Sequence, residues 1–140
     1  MTKIVFNGCY GGFSVSDAAI MRYAEIKGIT LYPRKDKTFG IMNYYLCPPE
    51  EWERINAEEQ AMPVSPGRFA RSNALYFSDR DFERNDPILA QVVEELGDKA
   101  NGSFAELQII DLPAGTRYRI EEYDGWESVM TEADYVWEVA

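Results

Sequence analysis

The spacing of apolar and polar positions changes several times along these 140 residues, and each change predicts an element. Lys3-Ile4-Val5-Phe6 is a short apolar run that predicts a strand, stopped by Asn7 and Gly8. The next stretch, Gly8-Cys9-Tyr10-Gly11-Gly12, holds three glycines in five residues. That density marks backbone needing positive φ or lying very close to a ligand or to another piece of chain. Phe13 and Val15 read as a short extended piece. Ser16 then offers an N-cap oxygen to a helix from Asp17 to about Lys27, with Ile20, Tyr23 and Ala24 at helical spacing and Gly28 placed to end it.

Ile29 to Tyr32 predicts a strand, Pro33 to Lys37 a basic turn, and Gly40 to Cys47 its hairpin partner. Pro48 and Pro49 break that strand and suit the start of a short helix around Trp52. Residues 61–74 read as a long loop, and Ala74 to Phe77 as a strand. The clearest helix opens with Asp86 as N-cap and Pro87 in its first turn, and Ile88, Leu89, Val92, Val93 and Leu96 form its apolar stripe. It ends between Gly97 and Gly102. Ala105 to Asp111 is a strand followed by the turn Pro113-Ala114-Gly115. Thr116 to Tyr123 and Trp126 to Thr131 form a hairpin around Asp124-Gly125, a type I′ signal. The sum is an α+β domain spanning 1–140, with an antiparallel β-sheet and two main α-helices.

Composition narrows the function. Apolar content is 46% and no run is long enough to span a bilayer, so a folded chain is expected. The start lacks the pattern of a secretory leader, and Cys9 and Cys47 match no metal or redox spacing, which makes a cytosolic, thiol-containing protein the default. There is no histidine, which removes the commonest general base and most zinc sites. No catalytic residue, metal ligand set or cofactor motif stands out. The adjacent pairs Glu94-Glu95 and Glu121-Glu122 point in different directions and read as solvated charge. A net charge of −10 argues against long nucleic acid. The charge is uneven: residues 120–140 carry seven acidic side chains and no basic one. That block reads as a solvated face or as a surface for association between copies.

Four places could carry chemistry. The loop Gly8–Gly12, between a strand and a helix start, follows the general recipe for holding phosphate, yet matches neither a Walker loop nor the dinucleotide fingerprint. Tyr10 there could stack on a base or pack on backbone. Residues 67–84 hold four of the nine arginines interleaved with aromatics, and Arg68, Phe69 and Arg71 are the best candidates because Asp79, Asp81 and Glu83 offset Arg80 and Arg84. Arg117 and Arg119 share a strand face, where a cross-strand ion ladder or a phosphate contact are the two readings. Asn101, followed by Phe104, is either a left-handed helix cap or a side chain that reads a base edge.

Three blocks carry a resemblance: Phe-Asn-Gly-Cys-Tyr-Gly-Gly-Phe-Ser-Val-Ser at 6–16, the segment from Asn85 to Gly102, and Arg-Ile-Glu-Glu-Tyr-Asp-Gly-Trp-Glu at 119–127. Together they resemble a family of small phage and prophage proteins, the Thoeris anti-defence sponges of the first type. The resemblance implies a non-catalytic, intertwined homo-oligomer, a dimer or hexamer, in the cytoplasm of an infected cell. It further implies sequestration of cyclic ADP-ribose isomers and, in some members, of cyclic oligonucleotides. On that basis Arg68, Arg71 and Arg119 are expected at phosphates, Tyr10, Phe69 and Phe104 against adenine, and Asn101 at a base edge or ribose. No membrane and no cofactor is implied. The competing expectation is an acidic phage inhibitor that binds a host defence protein directly.

Overall fold

The computed structural model describes residues 1–135 and 137–140. In chain order the elements are β1 (Thr2–Asn7), α1 (Asp17–Lys27), β2 (Tyr32–Lys35), β3 (Met42–Tyr45), α2 (Pro49–Gln60), α3 (Ala70–Asn73), β4 (Tyr76–Phe77), α4 (Pro87–Leu96), β5 (Leu107–Leu112), β6 (Tyr118–Tyr123) and β7 (Trp126–Thr131). The architecture is α+β, and the strand pairs β1–β5, β2–β3, β3–β4 and β6–β7 are all antiparallel. Contacts cluster into two compact units, residues 1–27 with 82–140, and residues 28–81.

In the first unit α1 packs on α4, and α4 packs on β1. The apolar stripes meet there: Ala19, Ile20, Tyr23 and Ala24 from α1, Leu89, Ala90, Val92 and Val93 from α4, and Ile4 and Val5 from β1 are all buried. Both helix starts are capped as their sequences require. Ser16 Oγ accepts from Ala19 N at 3.1 Å, and Asp86 Oδ1 accepts from Ile88 N at 2.8 Å. Asp86 also takes the Tyr23 hydroxyl, which ties the two helices together. Burial first, and then this bond, pushes the Tyr23 hydroxyl far above its ordinary pKa.

One edge of β1 pairs with β5 in a register that sets Ile4 opposite Ile110 and Asn7 opposite Leu107. Its other edge finds two partners, the backbone of the segment before α4 and a side chain of β7: Val5 N donates to Arg84 O at 2.9 Å and Asn7 N to Glu127 Oε1 at 2.9 Å. An open strand edge is thereby closed off. Helix α4 stops at Leu96, before Gly97 at φ 57°, and a 3₁₀ turn follows to Ala100. Asn101 itself is extended, with φ −68° and ψ 133°, so it is not the left-handed cap. Gly97 takes the positive φ instead, because it has no Cβ to clash there.

The second unit is the three-stranded sheet β2-β3-β4 with α2 and α3. The first strand lies further along than Ile29–Tyr32 and includes Pro33. That is permitted because β2 is an edge strand, where a missing N–H leaves no ladder bond broken. The turn is correspondingly shifted to residues 36–41, where Asp36 Oδ1 accepts from Thr38 N at 2.6 Å. Helix α2 is a third long helix of 12 residues rather than a short one, with an Arg54–Glu58 pair at 2.9 Å along its exposed side. Tyr45, Trp52 and Tyr76 meet at ring-centroid separations of 4.9–5.3 Å, and Trp52 Nε1 donates to Ser72 O at 3.0 Å.

Candidate functional site

The β6–β7 hairpin turns through Asp124 at φ 50° and Gly125 at φ 88°, as its Asp-Gly pair predicts. This turn sets the register Tyr123↔Trp126, Glu121↔Ser128 and Arg119↔Met130. Alternation puts these six side chains on one face. The other face includes Glu127, which is buried.

Glu127 is the centre of a polar latch. Arg84 Nη1 and Nη2 donate to its two carboxylate oxygens at 2.6 and 2.8 Å, and the Arg84 guanidinium lies 3.5 Å from the Phe13 ring centroid. The same carboxylate receives Asn7 N. Asn7 is fully buried; its Nδ2 donates to Cys9 O at 2.7 Å and to Gly125 O at 2.9 Å, and its Oδ1 accepts from Glu106 N at 2.8 Å. Strand β1, the glycine loop, the 104–106 segment and the hairpin turn are thus held by two side chains. The glycines serve this packing. A Cβ on Gly11 would collide with the Phe104 carbonyl, and one on Gly125 would meet the Tyr10 carbonyl and Gly12 N. The close approach that the loop requires is to its own chain.

Against the start of the hairpin lies an open cleft of about 670 Å³, bordered by Arg117, Tyr118, Arg119, Met130, Tyr135 and Trp137 among others. That volume suits a mononucleotide-sized ligand. The Arg119 guanidinium sits 4.4 Å from the Tyr135 ring centroid, bonds to the Tyr135 hydroxyl, and donates to Glu121 Oε1 at 2.9 Å. The Tyr135 hydroxyl also donates to Glu121 Oε1. That bond first, and then Arg119, holds the Glu121 carboxyl below its ordinary range. Arg117 pairs with Glu132 at 2.9 Å. That pair, one position beyond Tyr118↔Thr131, is the single rung of the expected cross-strand ion ladder; the other is absent because the register places apolar Met130 opposite Arg119. Both arginine pairs are solvent-exposed, so each is worth little and can be exchanged for a ligand anion.

The remaining sequence candidates are distributed as follows. Tyr10 lies beside Trp126, rings 4.9 Å apart and nearly perpendicular, in a separate hollow on the same hairpin face. Asn101 and Phe104 border another hollow of about 490 Å³ together with Ser14, Ser16 and Ser103. Asn101 Oδ1 is engaged by Leu107 N at 2.9 Å, while Phe104 is 77% exposed. Arg68, Phe69 and Arg71 belong to the second unit: Arg68 lies over Phe69 at 4.6 Å, and Arg71 pairs with Glu58 at 3.3 Å. Tyr135 and Trp137 were not singled out from sequence. Their only signal is the presence of aromatics within an otherwise acidic tail. Arg84 is not offset by its acidic neighbours Asp79, Asp81 or Glu83 but pairs with Glu127, and it is the most enclosed of the arginines whose ion pairs are described.

Among the described residues no group of three or more His, Cys, Asp and Glu side chains is arranged to hold a metal ion, and no helix is long and apolar enough to cross a membrane. Compared with known protein families, with curated proteins and with solved structures, the chain has no significant match.

Proposed function

We propose that this chain binds a small anionic nucleotide and retains it unchanged, and, following the resemblance, that it is a phage anti-defence protein sequestering a cyclic ADP-ribose isomer in the infected cell. The observation that carries the reading is the hairpin cleft. It sets two guanidiniums, Arg117 and Arg119, beside the rings of Tyr118, Tyr135 and Trp137 in about 670 Å³. Guanidiniums recognise phosphate by charge and paired N–H donors, and aromatic faces recognise purines by stacking. Sequestration needs only these two contacts and no reacting group. The resemblance adds self-association as a dimer or hexamer and allows cyclic oligonucleotides as further cargo.

In the test, protein is mixed with a cyclic ADP-ribose isomer, desalted and heat-denatured, and the supernatant is examined by mass spectrometry. Recovery of intact ligand in molar proportion supports the reading, and Arg119→Ala should weaken binding at least about tenfold, one charge-assisted contact being worth roughly 1.5–3 kcal/mol. Failure to bind, or recovery of a converted product, overturns it. A stoichiometric host protein retained with no nucleotide would favour instead the inhibitor reading, for which the acidic run 120–140 is the natural surface.

A further inference from the structure

The hollow next to the cleft has the opposite chemistry. It has a volume of about 510 Å³ and is bordered by Tyr10, Tyr123 and Trp126, with Glu121, Glu122 and Ser128. Tyr10 and Trp126 stand at 68° with centroids 4.9 Å apart, so they form two adjoining walls rather than a closed stack. Tyr123 is the cross-strand partner of Trp126 in the hairpin register. No basic residue borders it, and residues 120–127 contain four carboxylates and no cation. Two of these already have partners: Glu127 is held by Arg84, and Glu121 by Arg119 and Tyr135. Glu122 Oε1 accepts Gly125 N at 3.1 Å, which fixes its carboxylate at the turn and leaves its charge uncompensated by any ion pair among the described residues.

Aromatic walls meeting at an angle, with carboxylates at the rim, attract a cation that is weakly hydrated. A metal ion would demand several oxygens, and an anion would be repelled. We infer that this hollow is an aromatic box for a small organic cation of the quaternary-ammonium type, distinct from the anion-binding cleft. Tyr10 and Trp126 supply the ring faces and Tyr123 flanks them; Glu122, whose side chain leaves β6 on the other face but is bonded at the turn by Gly125 N, adds its uncompensated charge at the border. The latch sets the backbone that carries these exposed rings. The Asn7 side chain bonds the carbonyls of both Cys9 and Gly125, so the loop bearing Tyr10 and the turn before Trp126 are fixed to one another.

Calorimetric titration of the full chain with choline, and with its neutral isostere 3,3-dimethyl-1-butanol, tests the inference. Choline should bind about tenfold or more tightly than the neutral alcohol, since only the cation gains from the ring quadrupoles. Trp126→Leu should weaken choline binding about tenfold and Glu122→Gln by about threefold, while Trp126→Phe keeps most of it. A thermal melt of each variant separates lost binding from lost folding. Because a nucleotide occupying the cleft should not displace choline, the box can stand when the nucleotide reading fails, and the reverse. Equal binding of the two isosteres, no binding of either, or choline binding untouched by Trp126→Leu would each overturn it.

Discussion

Removal of the Asn7 side chain is the sharpest test of how the candidate site is held. Asn7→Ala leaves the Glu106 N–H and the carbonyls of Cys9 and Gly125 without the partners they now have at 2.8, 2.7 and 2.9 Å. A buried polar group deprived of its partner costs about 1–3 kcal/mol, and these three are only part-buried, so the low end applies and the sum is about 3 kcal/mol. With a urea slope of about 2 kcal/mol/M, the unfolding midpoint should fall by about 1.5 M. Amide exchange at Glu106 should accelerate by about a hundredfold if it occurs through opening of this latch. Asn7→Asp has nearly the same shape but accepts hydrogen bonds where two carbonyls need donors, and its charge lies near the Glu127 carboxylate that receives Asn7 N. It should therefore be at least as destabilising as alanine at neutral pH. A midpoint within about 0.3 M of the parent for Asn7→Ala, corresponding to well under 1 kcal/mol, would refute the reasoning. So would an aspartate variant as stable as the parent.

Other consequences can be checked separately. Gly125→Ala combines a positive φ of 88° with a Cβ directed into the Tyr10 carbonyl. It should cost about 2 kcal/mol or more and lower the melting temperature by several degrees. By carbon-detected titration Glu121 should protonate below the usual glutamate range, because the bonded form is the charged one; Tyr135→Phe should move it back towards that range, and no change would exclude the bond. Burial first, and then Glu51, raises the Cys47 thiol. The folded chain thus keeps this proton where the unfolded chain has lost it, so the thiol's contribution to stability is present at neutral pH and is lost as pH rises past about 8.5. A thiol reagent at pH 8 should accordingly modify Cys9 while Cys47 reacts only on unfolding.

Local signals were legible wherever one residue and its immediate neighbours settle the outcome. The Ser16 and Asp86 caps, Gly28 after α1 and the Asp124-Gly125 turn follow from backbone geometry that few residues satisfy. The stripe of α4 was equally readable, because burial repeats at the helical period. Boundaries in the second unit were not, since Pro33 is acceptable in a strand only once that strand is known to lie at an edge.

The site divided along the same line. Sequence alone marked the glycine loop as a place of close approach and marked Tyr10, Phe104 and Arg119 as chemistry in search of a place. Only tertiary structure decided what the loop approaches: the 104–106 segment and the hairpin turn, fastened by Asn7 and Glu127 from opposite ends of the chain. It also withdrew Arg84 into an ion pair and put Met130 opposite Arg119, leaving that guanidinium beside Tyr135 and Glu121 at an open cleft. The physical reason is that periodicity and capping act within a few residues. Which charge neutralises which depends on contacts such as Arg84–Glu127, 43 positions apart, that no local pattern encodes.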